Sequence, residues 1–156
     1  MATAFVNAHL ITGDGRDFDK ASVKVEAGRI TEIRTDGQSL RAAVVVDLQG
    51  RALTPGFIDL HDHMVGGDNA IGHGDEYISF KIGGPIINAV LDSVEAARKT
   101  LHAGITSARE IGARDFIDVA MKRAQAQGQI EAPRMLAAGP GVWMTGGHGS
   151  FWQPGH

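Results

Sequence analysis

Two histidines spaced i, i+2, His61 and His63, are the side chains whose type and spacing best suit chemistry. They close the run Thr54-Pro55-Gly56-Phe57-Ile58-Asp59-Leu60-His61-Asp62-His63, in which a Pro-Gly turn signal opens a short apolar stretch. Side chains alternate along a β-strand, so Asp59, His61 and His63 are expected on one side and Asp62 on the other. Two neutral imidazoles at a strand end can reach one ion at about 2.0–2.1 Å each, a geometry zinc accepts. The bland alternative is a pair of ordinary polar residues. Asp59, one pleat deeper, suits a carboxylate that orients an imidazole by accepting its second N–H. A buried acid with a purely structural hydrogen bond is the competing reading.

Other candidates lie downstream. His148 sits in Met144-Thr145-Gly146-Gly147-His148-Gly149, where paired glycines let the backbone approach a ligand closely; a loop histidine without a role is the alternative. Arg109 and Glu110 end a strand, where a structural ion pair is the expectation and one residue facing the mouth with the other facing the surrounding helices is the alternative. His73 is expected to be a solvated loop residue. Trp143 and Trp152 flank the His148 loop and suit either a pocket wall or plain packing.

The elements that must hold these residues divide into two rhythms. Up to about residue 53 the chain reads as short strands: Ala4 to Ile11, Ser22 to Glu26, Arg29 to Arg34 and Ala42 to Asp47, with Ala27-Gly28 as a hairpin connection. From residue 54 strand and helix alternate. Strands are expected at Phe57 to His61, Ile105 to Glu110 and Arg134 to Ala138. Helices are expected at Ile87 to Ala103, presenting Ile87, Val90, Leu91, Val94, Ala97 and Leu101, and at Asp115 to Gln127, burying Phe116, Val119, Ala120 and Ala124. Gly104 stands where a helix-ending residue with positive φ is wanted. Such an order implies parallel pairing, with the strand ends on a common functional edge. The glycine-rich stretch between Val65 and Pro85 has no sustained period and follows the histidine pair, so it is expected to form an active-site loop.

Composition narrows the classes. A net charge of −3 with mixed signs gives no nucleic-acid footprint, and no apolar run approaches the 18 or so residues of a membrane span. The start lacks a basic, apolar leader, and the absence of cysteine removes disulfides and thiolate ligands. A cytoplasmic protein is the expectation.

The Pro-Gly-Phe-Ile-Asp-x-His-x-His run resembles the signature of the metal-dependent amidohydrolase superfamily. Glu26-Ala27-Gly28-Arg29-Ile30 resembles the β module that opens such enzymes. Ala103-Gly104-Ile105-Thr106-Ser107-Ala108-Arg109-Glu110, Ala132-Pro133-Arg134 and the Gly146-Gly147-His148 loop resemble the imidazolonepropionase-like and prolidase-like branch, although Glu110 stands where relatives more often carry Asp. The resemblance implies an α/β chain: a β-sandwich portion over residues 1–53, then the first three βα units of an incomplete (β/α)8 TIM barrel over 54–156. A whole barrel takes about 250 residues, so this chain is expected to be the N-terminal part, a fragment inactive alone.

The implied activity is hydrolysis of an amide-type C–N bond in a small molecule or dipeptide, using one or two divalent ions, zinc first. His61 and His63 would be metal ligands, His148 would contact the substrate carbonyl, and the catalytic aspartate is expected from a strand beyond this chain. A homo-oligomer is allowed for the full-length enzyme. The competing readings are a non-catalytic metal-binding or assembly module and one half of a split enzyme.

Overall fold

The computed structural model describes residues 1–65, 85–142 and 144–147. His73, Trp143, His148, Trp152 and the expected active-site loop over 66–84 lie outside the described residues. The chain divides into two compact units, Met1–Pro55 and Gly56–His156.

In the first unit the strands are β1 (Thr3–Ile11), β2 (Asp17–Glu26), β3 (Arg29–Arg34), β4 (Val44–Asp47) and β5 (Ala52–Leu53). They form one five-stranded sheet in the order β3-β2-β1-β4, with β5 also on β1. β1–β2 and β2–β3 are antiparallel, whereas β4 and β5 run parallel to β1. Along β1 the alternation is strict: Ala4, Val6, Ala8 and Leu10 are buried, the period-two signature of a sheet with one covered face. Asn7 adopts φ 53° where the β1–β2 register shifts; its amide donates to Asp47 Oδ1 at 3.0 Å, tying this irregularity to β4. Ala27 and Gly28 both have positive φ, the two-residue hairpin geometry that matches strand twist. The second layer of a sandwich is not among the described residues of this unit.

In the second unit β6 (Phe57–Asp62), β7 (Ile105–Glu110) and β8 (Arg134–Ala137) form a three-stranded parallel sheet in sequence order. Helix α1 (Ile86–His102) connects β6 to β7, and α2 (Ile117–Ala126) connects β7 to β8. Their shared core is Met64, Val65, Ala97, Ala108, Ala113, Ile117, Met121, Ala132 and Met135. Gly104 has φ 97° and donates its N–H to the Leu101 carbonyl at 3.0 Å, so only Ala103 and Gly104 separate α1 from β7. Gly56 is a close approach: a Cβ there would lie 2.1 Å from Thr106 Oγ1, so a side chain at this entry to β6 would collide with β7.

α1 turns inward only part of the face the spacing predicts, keeping Ala97 and Val90 on the core, and α2 turns a different one. α1 buries Ser93, Ala96 and Ala97, and leaves Ile87 and Leu91 exposed. Small residues let the helix lie close to the sheet, and the larger aliphatics fall outside that contact. α2 buries Ile117, Asp118 and Met121, while Phe116, Val119 and Ala120 are exposed. The cause is local: Asp115 and Phe116 both take left-handed conformations in the 3-10 turn Arg114–Phe116, so the helix proper starts at Ile117 and its inward stripe is shifted. Among the described residues, no helix is long and apolar enough to cross a membrane.

Candidate metal centre

The C-terminal ends of the three parallel strands are tied to one another. The Asp62 carbonyl accepts Ile111 N–H at 3.4 Å, and the Glu110 carbonyl accepts Ala138 N–H at 3.2 Å. A buried carboxylate, Asp118, supports the far side by accepting Gly139 N–H at 2.7 Å on Oδ2. Functional groups in parallel sheets gather at this edge because the loops leaving it converge there.

His61 lies within the last turn of β6, and His63 is the first residue beyond it. Their rings lie side by side, centroids 5.5 Å apart and planes at 74°, an edge-to-face arrangement. The i, i+2 spacing therefore brings the two imidazoles together. Main-chain hydrogen bonds hold this strand end in shape: His61 N–H donates to Asp59 Oδ1 at 2.9 Å and His63 N–H to Asp62 Oδ1 at 2.7 Å. Asp59, expected to accept an imidazole N–H, thus spends Oδ1 on the backbone two residues ahead.

The carboxylate beside an imidazole is Glu110. Its Oε1 lies 3.4 Å from His63 Nδ1, the Glu110 side chain is fully buried, and the His63 ring is 47% exposed. Glu110 Oε2 accepts Val65 N–H at 3.1 Å, anchoring the chain just past the histidine pair. Among the described residues Oε1 has no hydrogen-bond partner; at 3.4 Å the His63 contact is an electrostatic one, longer than an ordinary hydrogen bond. Burial lifts the Glu110 carboxyl to about 7, and the nearby Asp62 carboxylate adds to the rise. Donation from the backbone N–H groups of Val65, Gly112 and Met64 opposes it.

The expected Arg109–Glu110 ion pair does not form. Successive strand residues face opposite ways, so Glu110 points to the buried side with Ala108, while Arg109 is exposed and donates from Nε to the Leu60 carbonyl. Glu110 is the functional candidate that sequence reasoning passed over. Its signal was present: an acid two residues from an alanine on the covered face of a strand is a buried acid.

Two imidazoles are too few for a complete catalytic zinc site, which typically has three protein ligands. Among the described residues no group of three or more His, Cys, Asp or Glu side chains is arranged to hold an ion.

No protein-family model matches the chain. In sequence it is 34% identical over 117 residues to an imidazolonepropionase from Phocaeicola vulgatus, covering 62% of this chain and 28% of that protein. It is 36% identical over 63 residues to a 5-methylthioadenosine/S-adenosylhomocysteine deaminase from Thermococcus kodakarensis, covering 40% of this chain and 15% of the deaminase. In structure it superimposes on a prolidase solved with N-methylphosphonate-L-proline, with a TM-score of 0.79 at 26% identity, over 100% of this chain and 36% of the prolidase. An amidohydrolase gives a TM-score of 0.75 at 27% identity, over 95% of this chain and 34% of that one. The chain is therefore similar to imidazolonepropionase-like and prolidase-like amidohydrolases, as its motifs suggested. It has their mixed α/β fold and spans well under half the length of each.

Proposed function

We propose that this chain carries part of a metal-dependent amidohydrolase, with His61 and His63 as two ligands of a divalent ion, zinc first. The observation that carries the reading is the pair of adjacent rings at the C-terminal end of a parallel strand. Two imidazoles on one tetrahedral ion at about 2.0–2.1 Å would hold their ring centres about 5 Å apart, and the 5.5 Å separation fits that spacing. The buried Oε1 of Glu110, beside one ring and without a hydrogen-bond partner among the described residues, also fits a site in which that imidazole donates its other N–H to a carboxylate.

In this reading Met1–Pro55 is the opening β module, and the two βα repeats with the third strand, β8, are the start of a (β/α)8 barrel. Exposed Phe57, Ile58, Leu60 and Leu136 on the parallel sheet support further polypeptide covering it. A bound ion would supply a water of lowered pKa and polarise the substrate carbonyl. The chain's own residues present two neutral imidazoles, fix the strand end through Asp59 and Asp62, and hold the following loop through Glu110. The remaining ligands and the catalytic acid or base would come from elsewhere in the enzyme, and His148 would meet the substrate. The relatives' names support a small amide, a cyclic amide or a dipeptide as substrate, hydrolysed at a C–N bond.

A second reading is a metal-binding module without catalysis. Zinc competition against a chromophoric chelator tests the shared step. The chain should bind zinc, and His61→Ala with His63→Ala should abolish binding; affinity unchanged by the double substitution contradicts both readings. Hydrolysis of Xaa-Pro dipeptides or cyclic amides by the longest polypeptide containing this chain, lost with the same substitutions, separates the enzyme from the module.

A further inference from the structure

We propose that Glu110 is a positioning residue for the metal centre: Oε1 accepts the Nδ1–H of His63 while Oε2 holds the chain immediately beyond it. One carboxylate would then set both the tautomer and the location of a metal-binding ring. The inference rests on the reading of His61 and His63 as ligands.

An imidazole ligates through a bare nitrogen, and the hydrogen bond made by its other nitrogen decides which one that is. His63 lies just past the end of β6, where its N–H donates to Asp62 Oδ1. Glu110 is fixed. It is the last residue of β7, its carbonyl is paired to Ala138 of the loop after β8, its side chain is fully buried, and Oε2 already accepts Val65 N–H at 3.1 Å. That leaves Oε1, buried and without a hydrogen-bond partner among the described residues, 3.4 Å from His63 Nδ1. A hydrogen bond between them needs about 2.7–3.2 Å, so a small rotation of the half-exposed ring completes it. With the proton on Nδ1, Nε2 is left for the ion. Arg109 takes no part, since it faces away and binds the Leu60 carbonyl.

Glu110→Gln separates this role from a purely structural one. The amide oxygen can keep accepting Val65 N–H, but the NH2 group then faces His63 Nδ1 as a donor, which places the ring proton on Nε2. In nitrogen-15 spectra of the metal-free chain at about pH 8, where free histidine is neutral, wild-type His63 should be the Nδ1–H tautomer. The variant should be Nε2–H, with His61 unchanged and the amide spectrum of β6 to β8 preserved. Zinc affinity, read by chelator competition, should fall about 10- to 100-fold.

A wild-type His63 in the Nε2–H form overturns the proposal even if the variant does not fold. So does a folded variant with the wild-type tautomer and affinity. Wild-type protein that binds no zinc but shows Nδ1–H at His63 would defeat the ligand reading and leave the Glu110–His63 pairing intact. Zinc bound equally by wild type and Glu110→Gln would defeat the positioning role alone.

Discussion

Asp14, in the turn between β1 and β2, and Glu110, at the end of β7, are both carboxylates held by three or more contacts, yet their surroundings are opposite. Asp14 is exposed and meets a cation: Arg16 donates to its Oδ2 from Nε at 3.0 Å and from Nη2 at 2.6 Å, and the Thr12 hydroxyl donates to Oδ1. These hydrogen bonds, with Arg16 first, hold its pKa well below the ordinary carboxylate range. Glu110 has no Arg or Lys partner among the described residues; it is buried, faces backbone N–H groups and an imidazole, and is pushed up to about 7. The first carboxylate closes a turn. The second lies between a loop and a candidate ligand, where burial without a cation marks functional sites more often than structural ones.

The largest effect that sharpens this contrast comes from truncating the buried acid. Glu110→Ala leaves the Val65 N–H without its acceptor and opens a cavity beneath the strand end. Losses of about 3 kcal/mol are expected, read as faster hydrogen exchange of β7 amides. Stability equal to wild type would show that the carboxylate supports nothing.

Next in size is the pH dependence of the chelated, metal-free protein. Glu110 has a folded pKa near 7 against 4.5 for an ordinary glutamate, so the folded state holds this proton more tightly. Its contribution is fully present below about pH 4.5 and is lost as pH rises through about 7, a change of about 3 kcal/mol at most. Denaturation midpoints of wild type should therefore fall over that window relative to Glu110→Gln. Parallel curves would contradict the burial argument.

Asp14 should show the smallest effect and the opposite sign. Its folded pKa is depressed, so its contribution is present above about pH 4 and is lost only in stronger acid. Because the group is exposed and its ion pair screened, Asp14→Asn should leave the thermal midpoint at neutral pH close to wild type. A large drop would mean that the turn, rather than the strand end, is the more heavily constrained of the two.

The same contrast explains what the sequence could reveal. β1 was legible because Ala4, Val6, Ala8 and Leu10 alternate without exception, and α1 ended where Gly104 required. The histidine pair was legible because its geometry depends only on local spacing. The inward face of α2 was not, since it depends on two left-handed residues, Asp115 and Phe116, that are neither Gly nor Asn. The face of α1 was legible in part: Ala97 and Val90 meet the core as the spacing predicts, but packing turned small Ser93 and Ala96 inward and left Ile87 and Leu91 exposed. Glu110 beside His63 depends on parallel pairing between β6 and β7, a long-range contact that no local window contains. What spacing alone could set was readable, and what tertiary contact decided was not.

The central claim, that His61 and His63 share one ion, is tested most directly by zinc-edge X-ray absorption on the metal-loaded chain. Two imidazole nitrogens at about 2.0–2.1 Å, reduced to one by His61→Ala or by His63→Ala, is the predicted result. A bound zinc whose imidazole count is unchanged by either substitution would contradict it.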